Sequence, residues 1–122
     1  MAPAGLYFHI PFCRHKCPYC DFYSLTGLNA LPAFLEALHR EVALRADPDL
    51  AVDTVYFGGG TPSLCPPGAV ADLLAAVRER FDLLPGAEIT LEANPGAVTA
   101  HDLVRLREIG VNRLNIGVQS FR

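Results

Sequence analysis

The chain carries little positive charge. Ten lysines and arginines stand against thirteen aspartates and glutamates, and the basic residues form no cluster. Without such an electrostatic footprint, a nucleic-acid partner is not expected. Long apolar runs are missing too, none approaching the roughly 20 residues that span a bilayer. The start, Met1-Ala2-Pro3-Ala4-Gly5, has neither the basic opening nor the apolar stretch of a secretory signal. Membrane association is therefore not indicated, and a cytoplasmic location is the expectation. Cysteine is scarce, with four in 122 residues. In a reducing compartment such cysteines point to metal binding or catalysis rather than to disulfides. Repeats, linkers and low-complexity tracts are absent. The length suits one small domain, and 51 % apolar residues suffice for a core.

Three of the cysteines fall in one short run, Cys13-Arg14-His15-Lys16-Cys17-Pro18-Tyr19-Cys20. Thiolates spaced C-x3-C-x2-C can hold three corners of a cubic iron–sulfur cluster and leave the fourth iron open to a ligand. Two other readings stay open. Cys17-Pro18-Tyr19-Cys20 alone is a dithiol redox motif, although that leaves Cys13 idle and needs a helix where Pro11 and Pro18 suggest a loop. The three cysteines with His9 or His15 could close a structural zinc site, although such sites pair their ligands and one cluster of ligands is present here. Cys65 stands apart and reads as a buried cysteine rather than a fourth ligand. His9 reads as a hydrogen-bonded core residue and His15 as a solvated one. His39 and His101 need no role.

The hydrophobic pattern alternates between two periods. Leu6 to Ile10 reads as a strand running into the cysteine segment. Leu31, Leu35, Leu38 and Val42 recur at helical spacing, with Pro48 beyond them. Thr54 to Phe57 is a second strand, stopped by Gly58-Gly59-Gly60. Val70, Leu73, Leu74, Val77 and Phe81 mark a second helix, with Pro66 and Pro67 before its start. Leu84-Pro85-Gly86 reads as a turn and Glu88 to Glu92 as a third strand. Thr99 and Asp102 suit a cap opening a helix that carries Leu103, Leu106 and Ile109, with Gly110 past its end. Arg113 to Val118 completes a fourth strand.

This order predicts an α/β fold, a partial parallel (βα) barrel with about four strands and three helices. Ligands of such folds bind beyond the carboxyl ends of the strands. The cysteine segment, the glycine triplet, Glu92 and Gln119 all fall there. No Gly-Lys-Ser/Thr follows the triplet, which argues against a nucleoside triphosphate site. The fourth strand is followed almost at once by Arg122, with no element to cover its edge. The expectation is that residues 1–122 are the N-terminal part of a longer barrel domain.

The cysteine spacing, Gly58-Gly59-Gly60-Thr61-Pro62, Leu91-Glu92-Ala93-Asn94-Pro95-Gly96 and Gly117-Val118-Gln119-Ser120-Phe121 together resemble the radical S-adenosylmethionine (SAM) superfamily. The resemblance is to the branch containing oxygen-independent coproporphyrinogen III oxidase and the haem chaperone HemW. It implies that Cys13, Cys17 and Cys20 ligate a [4Fe–4S] cluster. It implies that SAM binds the open iron and is cleaved by one electron to a 5′-deoxyadenosyl radical. It places Tyr7, Tyr19, Gly59, Gly60, Thr61, Glu92 and Gln119 around SAM. On this reading the bare backbone of Gly59 and Gly60 admits the methionine end. Glu92 accepts from an ammonium or from ribose hydroxyls, and Gln119 serves a ribose. The resemblance further implies haem or a porphyrinogen as partner, a reducing electron donor and a haem-accepting protein, with any haem site beyond Arg122. The oxidase pattern has a further cysteine two positions after the third ligand, where this chain has Phe22. That feature resembles the chaperone subgroup more than the enzyme.

Overall fold

The computed structural model describes residues 2–11, 30–59, 65–93 and 99–116. Four strands alternate with three helices: β1 (Ala4–Ile10), α1 (Leu31–Leu44), β2 (Asp47–Gly59), α2 (Pro67–Arg80), β3 (Phe81–Ala93), α3 (Ala100–Ile109) and β4 (Arg113–Ile116). The sheet order is β1-β2-β3-β4 and every pairing is parallel. Each crossover thus advances the sheet in one direction, which is the progression of a barrel rather than of a doubly wound sheet.

Strand side chains alternate between two faces. Phe8, Ile10, Val55, Phe57, Ile89 and Leu91 point to one face and join one core with Leu31, Val42, Val70, Leu73, Leu74, Val77 and Leu106. Phe8 and Phe57 stack across neighbouring strands with ring centroids 5.0 Å apart. Burying a side chain of this size is worth about 1.5–3 kcal/mol, so the helix-packed face supplies most of the fold's driving force. The other face carries Tyr7, His9, Tyr56, Glu92, Arg113 and Asn115.

The helix ends follow local chemistry. Pro32 lies in the first turn of α1 and Pro67 in that of α2. Pro67 is thus inside its helix rather than before it, because the first turn needs no amide hydrogen. Phe81 opens β3 instead of closing α2, and it remains buried. At α3, Asp102 N–H donates to Thr99 Oγ1 at 3.1 Å and Thr99 N–H donates to Asp102 Oδ2 at 3.3 Å, completing the expected capping box. Gly110 has φ +119°. Its N–H donates to Arg107 O and the Val111 N–H to Leu106 O, a pair of bonds that ends the helix in a left-handed turn.

Two proline segments fall inside strands, the second where a turn was expected. Pro48 lies within β2, and Leu84-Pro85-Gly86 lies within β3. Neither forms regular ladder. Asp47 pairs Phe81 while Ala51 pairs the next residue, Asp82, so Pro48, Asp49 and Leu50 are extra. Val52 pairs Leu83 while Thr54 pairs Glu88, so Leu84, Pro85, Gly86 and Ala87 stand opposite Asp53 alone. A strand absorbs proline at such irregularities because no ladder hydrogen is demanded there. Asn112 ties the second one down: its Oδ1 accepts from Ile89 N–H at 2.8 Å and its Nδ2 donates to Ala87 O at 2.9 Å.

Candidate cofactor site at the strand ends

Parallel pairing brings the carboxyl ends of β1, β2 and β3 side by side. Ile10 pairs Gly59, Phe57 pairs Leu91, and Glu92 pairs Asn115 of β4. Of the residues expected at the site, Tyr7, Gly59 and Glu92 are described, and they share this rim. Cys13, Cys17, Tyr19, Cys20, Gly60, Thr61 and Gln119 lie outside the described residues, as does Phe22.

Glu92 is the centre of the described part. It is half-buried, and both carboxylate oxygens are engaged. Tyr56 O–H donates to Oε2 at 2.7 Å, and Gly59 N–H donates to Oε1 at 3.1 Å. Asn115 Nδ2 in turn donates to the Tyr56 hydroxyl at 2.9 Å. No Lys, Arg or His among the described residues pairs with Glu92. The nearby Arg113 instead meets Glu88 at 3.3 Å. A carboxylate has about four acceptor positions, and the donors among the described residues use two of them.

Tyr7 lies over this network. Its ring stacks on Tyr56 with centroids 5.7 Å apart and an interplanar angle of 17°. Its hydroxyl is 3.2 Å from His9 Nδ1. Tyr7 keeps 60 % of its surface exposed, leaving a ring available to a ligand. His9 is exposed as well, not a core histidine, because strand alternation sends it with Tyr7 to the face without helices. Both phenols hold their protons more tightly than usual. For Tyr7 the cause is partial burial, then the charge of Glu92 and the neighbouring Tyr56. For Tyr56 it is burial, then the hydrogen bond to Glu92 and its charge, partly offset by Asn115 and Arg113.

Gly58 and Gly59 leave room for neighbouring parts of the chain. Gly59 has φ +116°, and a Cβ on it would lie 2.6 Å from Ile10 O. The space it vacates is filled by the backbone of β1, where the chain enters the cysteine segment. A Cβ on Gly58 would meet Tyr7 Oη at 2.7 Å and Tyr56 Cε1 at 2.9 Å. Gly58 is thus the floor under the two stacked rings. Tyr56 and Asn115 are not singled out by the sequence, and Gly58 is marked there only as part of the glycine triplet. A period-two count from Tyr7 and Glu92 places Tyr56 and Asn115 on their face once the register is known, but nothing in one sequence fixes that register.

Cys65 is 4 % exposed and belongs to the helix-side core. Burial pushes its thiol up to about 11, so it stays protonated and packs as a small apolar group. Among the described residues, no three or more His, Cys, Asp or Glu side chains gather as a metal site. No helix among them is long and apolar enough to cross a membrane.

The fold is a parallel α/β arrangement with a polar rim at its strand ends, where folds of this class bind their ligands. Comparison with known proteins narrows this. The family model described as the radical SAM superfamily matches residues 7–122. The chain is 46 % identical over 127 residues to the haem chaperone HemW of Escherichia coli K12, covering 99 % of this chain and 33 % of that protein. It is 42 % identical over 125 residues to the oxygen-independent coproporphyrinogen III oxidase of Bradyrhizobium diazoefficiens, covering 98 % of this chain and 28 % of that protein. The solved structure of coproporphyrinogen III oxidase HemN from Escherichia coli, a radical SAM enzyme, superposes with a TM-score of 0.90 at 34 % identity. That match covers 98 % of this chain and 29 % of the solved one. The chain belongs to the radical SAM superfamily, and it spans about a third of the length of the curated relatives it matches. Membership implies SAM and a [4Fe–4S] cluster. The described residues fit SAM: a carboxylate that none of their cations pairs, and whose described donors leave acceptor positions over, suits a cationic amino group or sugar hydroxyls, beside an exposed aromatic ring.

Proposed function

We propose that residues 1–122 form the N-terminal part of a radical SAM core in a cytoplasmic, HemW-like haem chaperone. Cys13, Cys17 and Cys20 hold the [4Fe–4S] cluster. Tyr7, Tyr19, Gly59, Gly60, Thr61, Glu92 and Gln119 hold SAM. When bound, cluster and SAM supply one-electron cleavage of a sulfonium bond. This chain's described residues bind and orient. Glu92 receives donors of the cofactor, Gly59 N–H and Tyr56 O–H fix the carboxylate, and the Tyr7 ring stacks on Tyr56. Haem is the cargo, an external donor supplies electrons, and another protein receives the haem.

The observation that carries this reading is the Glu92 carboxylate, paired with no cation among the described residues, at the strand ends of a chain matching the family over residues 7–122. Phe22, in place of a further cysteine, favours the chaperone, and so do the relatives named haem chaperones. The second reading, oxidative decarboxylation of coproporphyrinogen III, is supported by the relative and the solved structure that carry the oxidase name.

The test uses the full-length protein, reconstituted with iron and sulfide without oxygen and then reduced. Its electron paramagnetic resonance signal is expected to shift when SAM is added, and to vanish in Cys13→Ala, Cys17→Ala or Cys20→Ala. A protein that instead holds zinc, or cycles a Cys17–Cys20 disulfide, overturns the radical SAM site. Haem binding without conversion of coproporphyrinogen III supports the chaperone, and turnover of that substrate replaces it with the oxidase.

A further inference from the structure

Glu92 is a long side chain, and an unrestrained one loses rotamer freedom when a ligand fixes it. Here it is fixed in advance. The Tyr56 phenol has one hydrogen. Asn115 Nδ2 donates to its oxygen at 2.9 Å, which leaves that hydrogen for Glu92 Oε2 at 2.7 Å. The Tyr56 ring is itself held by stacking on Tyr7 and by Gly58 beneath it. The relay Asn115–Tyr56–Glu92 therefore crosses β4, β2 and β3 and ends on the carboxylate. Resting on the reading of Glu92 as a SAM residue, we propose that Tyr56 and Asn115 are positioning residues for cofactor binding. They hold the Glu92 carboxylate so that its free acceptor positions receive hydrogen-bond donors of SAM. Preorganisation of this kind raises affinity by removing an ordering cost.

The experiment uses full-length protein carrying its reconstituted cluster, with SAM titrated against the cluster's paramagnetic resonance signal. Tyr56→Phe is expected to raise the dissociation constant about tenfold, the size of a lost hydrogen bond to a charged group. Asn115→Ala is expected to raise it less, about threefold, because Asn115 acts through Tyr56. The double variant is expected to be no weaker than Tyr56→Phe alone. Iron content is to stay at the parent's value, and each variant is to unfold in a single cooperative transition.

A second readout follows the relay directly, by the ultraviolet absorbance of phenolate during alkaline titration. The groups facing Tyr56 are Tyr7 from β1, Glu92 from β3, and Asn115 and Arg113 from β4. The late-titrating phenol of Tyr56 is expected to disappear in Tyr56→Phe, to fall back toward the ordinary value of 10.0 in Glu92→Gln, and to rise further in Asn115→Ala. Unchanged SAM affinity in Tyr56→Phe and Asn115→Ala, with weakened affinity in Glu92→Gln, overturns the positioning role and leaves Glu92 in place. Unchanged affinity in Glu92→Gln as well overturns the cofactor role of Glu92 itself. If Tyr56→Phe fails to hold its cluster, Asn115→Ala and the titration decide the matter.

Discussion

The two faces of this sheet are built from the same strands, yet they differ in almost every physical respect. On the helix side Val55, Phe57 and Leu91 are fully buried and join Leu73 and Leu74 in one hydrophobic core. On the open side Tyr7, Tyr56, Glu92, Asn115 and Arg113 make hydrogen bonds, ring contacts and an ion pair while keeping much of their surface. Burial on the first face is what makes the second affordable, because half-buried polar groups contribute little net stability. The lesson is a division of labour at period two: one residue anchors the strand and the next is free for chemistry. Substitutions on the helix side should therefore read out as stability, and those on the open side as binding or titration.

The largest expected effect is Leu74→Ala, which empties a fully buried site between α2 and the sheet. A loss of about 2–5 kcal/mol is expected in denaturant unfolding of the full-length protein. SAM affinity of the folded fraction should be unaltered, and an altered affinity would break the division between faces. Gly59→Ala comes next, because this residue belongs to both sides of the comparison. Its positive φ costs an alanine about 1–3 kcal/mol, and the added Cβ lies 2.6 Å from the Ile10 carbonyl oxygen. The displaced backbone also carries the N–H that donates to Glu92. Stability and SAM affinity should fall together. A stable variant that still binds SAM like the parent would show that the strand ends tolerate movement.

The two faces were unequally legible in the sequence. Helix-side packing was readable because periodicity alone reveals it, as with Leu31 to Val42 and Val70 to Val77. Thr99, Asp102 and Gly110 were readable because caps are local chemistry. The full extent of β2 and β3 is not legible, and the turn expected at Leu84-Pro85-Gly86 is a strand irregularity. Pro48 and Pro85 forbid regular ladder, but only pairing of β2 with β3 shows that both strands continue around an irregularity. On the open face Tyr7, Gly59 and Glu92 were reached through family motifs. Tyr56 and Asn115 were not, because their meaning lies in contacts across 36 and 59 residues of chain. His9 was misplaced for a related reason, since alternation gives two faces without saying which one the helices cover.

Alkaline pH tests the open face without any mutation. Tyr7 and Tyr56 both titrate above the free phenol value of 10.0 in the folded protein. The unfolded chain loses those protons first, so the folded state binds more protons once pH passes about 10. Their contribution to stability is complete below that value and is lost as pH rises through the folded-state titration. Unfolding should thus become easier above about pH 10 in the parent, and by a smaller margin in Tyr56→Phe. An identical dependence in the two proteins would mean that the Tyr56 hydrogen bond does not distinguish folded from unfolded chain.

The smallest expected effect sharpens the comparison most. Arg113 and Glu88 meet at 3.3 Å with 54 % of each side chain exposed. Such a surface pair is worth about 0–1 kcal/mol and weakens with salt. Arg113→Ala should therefore leave the unfolding midpoint nearly unchanged. It should still move a titration, because the Arg113 charge holds the Tyr56 phenol down against burial and Glu92. With the guanidinium gone, the phenol should titrate higher than in the parent, as seen by phenolate absorbance. A substitution silent in stability and visible in the titration of a neighbour is the behaviour expected of the open face. A loss of several kcal/mol from Arg113→Ala would instead mean that this face carries part of the fold, and the division between the two faces would not hold.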